Sequence, residues 1–368
     1  MPEEKVYMKG YKGFEKGLIC RGKQYAENTV FEEDKAEICE NGMHFCENPF
    51  EVWRYYPPCN DKGEFNEFAE VEALSDPQTD DNSKFCTTKL QVGAKIRFTD
   101  FVKAGAKFIL EKTKDNAATN TGYCSAATNT GYYSAATNTG DCSAAMNTGY
   151  CSAATNTGDY SAATNTGDYS AAMNTGDYSA ATNTGDYSAA MNTGYCSAAT
   201  NTGDCSAAMN TGDCSAATNT GDCSAAMNTG NCSAATNTGD CSAATNTGDY
   251  SAAMNTGYCS AATNTGNRSA AMNTGDYSAA TNTGDCSAAM NTGYCSAATV
   301  ERKNSIAIAT GYQGKAKGSK GSWIVCTERD NDNNILCVKA AQVDGEKIKE
   351  NTFYTLKNGE FVESEDKK

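Results

Sequence analysis

Only one histidine, His44, occurs in the 368 residues, which removes every mechanism that needs two imidazoles and every His-pair metal site within one chain. Proline stops at Pro77. Everything after it can pair backbone N–H groups without interruption. No run of 18 apolar residues is present, so no membrane span is expected. The opening "MPEEKVYMKGYKGFEK" lacks the apolar stretch of a signal peptide. The expectation is therefore cytoplasmic synthesis without a signal peptide, with the 19 cysteines mostly reduced. Positive charge is also scarce, 30 Lys and Arg against 45 Asp and Glu for a net charge of −15, and this argues against nucleic acid as a partner bound through a basic face.

What the chain has in abundance is one phrase. Glycines fall every nine residues from Gly122 to Gly293, giving twenty copies of Gly, Asp/Tyr/Asn, Cys/Tyr/Arg, Ser, Ala, Ala, Thr/Met, Asn, Thr. Twelve Asp and one Arg give the array a charge of −11, leaving −4 for the flanks. "NTG" followed by Asp, Tyr or Asn is turn chemistry, because Asn and Gly tolerate left-handed conformations. The residues between turns then form a strand, and a fixed period with turns at fixed phase predicts a solenoid.

The Thr/Met position alternates at every copy from Thr164 to Thr236 and, after a reset at Thr245, again to Thr299. Two repeats per coil, 18 residues, would sort Met and Thr into separate files; ten coils would then rise about 48 Å. Strand alternation places Ser, Ala and Asn on one face and Cys/Tyr/Arg, Ala and Thr/Met on the other. The first set never varies, which suits a close-packed interior with stacked asparagines.

The fold class expected is mainly β: a central nonapeptide β-solenoid (residues 115–300) flanked by an N-terminal α+β domain (1–114) and a β-rich C-terminal cap (301–368). In the first, "VYMKGYKGF", "LICRGKQY" and "EFAEVEAL" read as strands. Helices are expected at "NPFEVWRYY", capped by Asn48, and at "TDFVKAGAKFILEK", capped by Thr99 or Asp100. Phe50, Val52, Trp53, Phe101, Phe108 and Ile109 are core candidates. In the third, "NSIAIATG" is a degenerate repeat in which Ile306 and Ile308 take outward positions. They are expected to be covered by strands around Trp323 to Val325 or Leu336 to Val338, with a hairpin at Asn358-Gly359.

The stretch "NSIAIATGYQGKAKGS" resembles the head repeats of trimeric autotransporter adhesins, which implies β-roll winding and a homo-oligomer. The wider layout, from "GLICRGKQY" and "NGMHFCENPFEVWRYY" to "GSWIVCTERD" and "YTLKNGEFVE", is similar to uncharacterised repeat proteins of gut-type bacteria and their phages. No activity comes with that likeness.

Chemistry-bearing residues are few. Cys20, Cys39, Cys46 and Cys59 lack the Cys-x-x-Cys spacing of a zinc site, and the single glycine per repeat does not fit a calcium nonapeptide. No cofactor or metal is therefore expected. Arg21, His44, Glu70 and Glu72 follow the order loosely similar to mono-ADP-ribosyltransferases, though their Ser-Thr-Ser is absent. The leading expectation is a non-enzymatic structural or adhesive repeat protein, a rigid spacer or display surface for an unknown protein or surface ligand, with a place in a virion implied by the likeness to phage proteins. Three alternatives stay open: that transferase, an ice-binding threonine array interrupted by Met, and an acidic rod imitating DNA.

Overall fold

The computed structural model describes residues 7–38, 40–80, 82–113 and 117–364. Each nonapeptide forms one four-residue strand, Ala-Ala-Thr/Met-Asn, and each strand pairs in parallel with the strand 18 residues on, Ala216 with Ala234 and Asn219 with Asn237 for example. Alternate repeats therefore build opposite sheets, two per coil, for about 12 turns. One sheet begins at Ala117–Asn120 and the other at Ala126–Asn129.

The invariant residues lie inside, as alternation requires. Asn219 and Ala217 are fully buried, and Ser215 nearly so. Their small size lets the sheets approach closely, and their polar atoms are all used. Asn219 Nδ2 crosses the interior to the carbonyls of Ser206 (3.1 Å) and Ala225 (3.4 Å), while its Oδ1 accepts from Gly221 N at 3.0 Å. Ser224 Oγ accepts from Ser206 N at 2.9 Å and donates to the Asp222 carbonyl at 2.9 Å.

The turn differs from expectation. The left-handed residue is neither Asn nor Gly but the Cys/Tyr/Arg position, with φ of 54° at Cys214 and 53° at Tyr187. Asn is occupied with its inward bonds. Glycine is required for lack of a Cβ, which at Gly221 would collide with the carbonyl oxygen of Gly203 one coil below. The Asp that follows the glycine ties coils together, since Asp204 Oδ1 accepts from Asp222 N at 3.0 Å.

The alternation of Met and Thr becomes two files. Met173, Met191, Met209 and Met227 stand in register on one sheet. After the reset, Met254, Met272 and Met290 stand on the other and continue into Ile308 and Val325. Between Thr164 and Thr236 the second sheet shows only threonine at this position.

The N-terminal part is an antiparallel six-stranded sheet of β1 (Met8–Phe14), β4 (Thr29–Glu32), β5 (Met43–Cys46), β6 (Glu67–Ala73), β7 (Lys84–Thr87) and β8 (Lys89–Ile96), in the order β4-β8-β6-β1-β5-β7. A small hairpin, β2 (Ile19–Cys20) and β3 (Lys23–Gln24), stands apart. Helix α1 (Pro49–Val52) is capped by Asn48, whose side chain accepts from Phe50 N. Helix α2 (Phe98–Lys112) starts earlier than expected, with Arg97 as its cap and no side-chain cap bond. Thr99 and Asp100 lie inside its first turn because Phe98 must already face Trp53 and Phe68, at ring separations of 6.0 and 6.3 Å. Phe50, Val52, Trp53, Phe101 and Ile109 are buried; Phe108 is half-buried and packs under the Lys112 ammonium.

This domain folds back along the flank of the rod. Trp53, Phe101, Val102 and Ile109 belong to one apolar cluster with Ala153, Ala171, Ala189, Ala207 and Met209. Outward alanines of that sheet are buried from Ala135 to Ala243, while those of the opposite sheet stay half-exposed.

The C-terminal end departs from the expected cover. Ile306 and Ile308 sit beside Trp323 and Val325 in the same sheet, not beneath them; both isoleucines are half-buried and Trp323 is 46% exposed. The coil also runs on through Lys315–Gly318. What closes the rod is an interior change, from Asn to Val300 in one sheet and to Ala309 and then Cys326 in the other. These and Ile324 pack on Val343, Ile348, Tyr354 and Leu356. The Asn358-Gly359 hairpin forms, with φ of 51° and 73°. Ile324→Ala should therefore cost about 2–5 kcal/mol by denaturant titration. Ile306→Ala and Ile308→Ala should each cost less than half of that.

Candidate functional site

The cavity of about 230 Å³ with the greatest mix of charge and aromatic rings lies in the N-terminal domain, between β1, β5, the β2–β3 hairpin and the chain after α1. Its walls include Tyr11, Tyr25, Phe45, Tyr55 and Tyr56, and its cations are Lys12, Arg21, Lys23 and Lys84. Two glycines of the wall permit close packing around it: a Cβ on Gly13 would overlap Tyr56, and one on Gly42 (φ +92°) would overlap Cys86 Sγ.

Lys12 comes from a buried stretch of β1 and is only 5% exposed. Its Nζ donates to the His44 carbonyl at 2.8 Å and lies over the rings of Phe14 and Tyr25, 5.7 and 5.3 Å from their centroids. Burial lowers its pKa, opposed by the neighbouring Cys20 thiol and by Glu33. Glu33 is itself committed, to Lys23 Nζ at 2.5 Å and to Gly42 N at 2.9 Å. Lys84 Nζ stands 4.9 Å over the Tyr55 ring. Arg21 is exposed, in a left-handed conformation (φ 49°), and forms no ion pair among the described residues.

Of the residues singled out from sequence, Arg21 and His44 meet in this cavity. Glu70 and Glu72 do not line it. Glu72 pairs with Lys9 at 2.7 Å, and Glu70 lies across from Tyr11 on the neighbouring strand. Cys20 and Cys46 reach the cavity wall, whereas Cys59 is buried against the rod, its thiol 3.7 Å from the Ser224 carbonyl. Cys39 lies outside the described residues. Sequence reasoning missed Lys12 and Lys84; a lysine on the face of β1 that also carries Met8, Gly10 and Phe14 was the available signal for the first.

The array carries a hollow of about 270 Å³ around Tyr250 and Arg268 and, where it meets the C-terminal strands, one of about 440 Å³ between Tyr294, Tyr312 and Arg329; each gathers a single cation, against four in the N-terminal cavity. The outer faces of the array carry threonine and Met files, bordered by tyrosine ladders such as Tyr160 and Tyr178, stacked at 5.1 Å. Among the described residues no helix is long and apolar enough to cross a membrane.

Fold and site together define a β-solenoid repeat protein with a pocketed α+β domain on its flank. Residues 8–104, which include every residue of the cavity wall, match the model of a family described as a domain of unknown function, DUF7666. No curated protein and no solved structure matches the chain.

His44 provides a pH test. Burial first, then the charges of Lys12, Lys84 and Arg21, push its pKa down to about 4. The folded state thus refuses a proton that the unfolded chain accepts near pH 6.5. The His44 contribution to stability should be intact above about pH 6.5 and be lost as pH falls through about 4. NMR titration of the lone imidazole should place its midpoint near 4, and His44→Gln should flatten the acid limb of the stability curve.

Proposed function

We propose that the chain is a non-enzymatic structural protein, a rigid rod that displays its outer surface. The observation that carries this reading is the contrast between an interior in which Ser and Asn are hydrogen-bonded alike in every coil and an outer face that accepts Thr, Met, Cys, Tyr and Arg. Display is favoured over spacing between two ends, because the N-terminal domain lies along the flank. Adhesion and a place in a phage particle are narrower forms of the proposal, and their support is the likeness of the sequence alone.

The transferase alternative loses ground because its two glutamates stand away from the cavity that holds Arg21 and His44. An acidic DNA mimic loses ground too. Its carboxylates are bonded to the next coil's N–H groups as parts of the turn.

If the rod is modular, removing one whole coil beyond the docked domain, Gly266–Thr283, should leave folding and the denaturation midpoint nearly unchanged, since each coil touches only its neighbours. Loss of soluble folded protein on that deletion would contradict a modular scaffold.

A second reading has its own support, since the Met residues between 173 and 227 belong to the covered sheet. The uncovered sheet carries Thr164 to Thr236 in unbroken register, each followed two residues later by an exposed threonine, Thr166 to Thr238. A flat, evenly spaced hydroxyl and methyl lattice suits ice. Ice recrystallisation should then be inhibited by the full chain and no longer inhibited by Thr200→Lys with Thr218→Lys; equal activity of the two would remove this reading.

A further inference from the structure

We infer that the N-terminal cavity binds a small oxyanion carried on a planar ring, an aryl or heteroaryl phosphate or carboxylate. The inference begins with Lys12. An ammonium has three donors, and this one, buried within the strand, gives one to the His44 carbonyl and leans on the Cys20 thiol while also lining the cavity. A buried cation is costly unless it is paired. The nearest carboxylate, Glu33, is already held by Lys23 and Gly42 N.

Two more cations add to this. Lys84 reaches the cavity over Tyr55, and Arg21 reaches it from the tip of the β2–β3 hairpin without an ion-pair partner among the described residues. Of the wall's cations Lys23 is taken up by Glu33, whereas Lys12 and Arg21 form no ion pair among the described residues, in a chain whose net charge is −15. A fold gains nothing from gathering like charges around a neutral imidazole. An anion seated among Lys12, Arg21 and Lys84 would reverse that cost.

The rings decide the rest of the ligand. Tyr11, Tyr25, Phe45, Tyr55 and Tyr56 form apolar walls that a bare phosphate would leave unused. A planar body attached to the anion would stack on them, while the small volume excludes a large ligand.

The test uses the full chain with three probes: phenyl phosphate, benzoate and inorganic phosphate, each titrated by calorimetry and followed at the His44 imidazole, the one such signal in the protein. Phenyl phosphate or benzoate should bind at least 10-fold more tightly than inorganic phosphate. Whichever binds better tells phosphate from carboxylate. Arg21→Gln and Lys84→Gln, at exposed and half-exposed positions that leave the core intact, should each weaken the better probe at least 10-fold and reduce its shift of the His44 signal. Absence of millimolar binding by both ring probes, equal affinity for inorganic phosphate, or unchanged affinity in both variants would each overturn the inference.

Discussion

From coil to coil as far as Asn291, the asparagine at the end of a strand reaches across the interior and bonds to the backbone of the facing sheet, as Asn219 does to Ser206 and Ala225. That bridge sets the distance between the sheets, and the distance sets everything else inside. Only Ser and Ala fit beside it, and only glycine fits where successive turns stack carbonyl over Cα. The rod is thus held by satisfied polar groups and backbone ladders, with little apolar burial of its own. A buried amide without those partners would be costly, so the asparagine is kept wherever a facing coil can bond it.

Such an interior has no way to end itself. At the C-terminus the polar ladder is replaced over two coils by Val300, Ala309 and Cys326, and the apolar residues of the last two hairpins then have a surface to pack on. The sequence announced this change in "NSIAIATG", but alternation alone drew attention to the isoleucines, which face outward. The residues that close the rod, Ile324 and Val343, carry no repeat phase by which to recognise them.

The period was legible in the glycine spacing, the coil length in the alternation of Thr and Met, and the inward face in strand alternation together with the invariance of Ser, Ala and Asn. The left-handed turn residue was not. Glycine and asparagine are the usual occupants, yet here both are reserved for tasks that only they perform, and the strain passes to Cys, Tyr and Arg, at positions free enough to vary. Where the pattern relaxes, asparagine does take this place, at Asn304. The cavity was legible only in fragments: Arg21 and His44 were visible as residue types, while Lys12 and Lys84 join them through pairings of distant strands that no local spacing encodes.

The reset at Thr245 is the point where local pattern and tertiary contact meet. Nothing in the coil's interior distinguishes the repeats on either side of it. The outer face does: the docked domain buries the outward alanine at Ala243 and leaves the next one, Ala261, half-exposed. Met lines the covered sheet up to Met227, and beyond the reset it lines the other sheet toward Ile308 and Val325. A flexible thioether can fill an irregular contact where a threonine hydroxyl would be left without a partner, as the buried Thr155 Oγ1 is at the near end of that interface. The choice between Thr and Met is therefore set, over the docked stretch, by what lies on top of the coil, and repeats identical inside acquire different outsides.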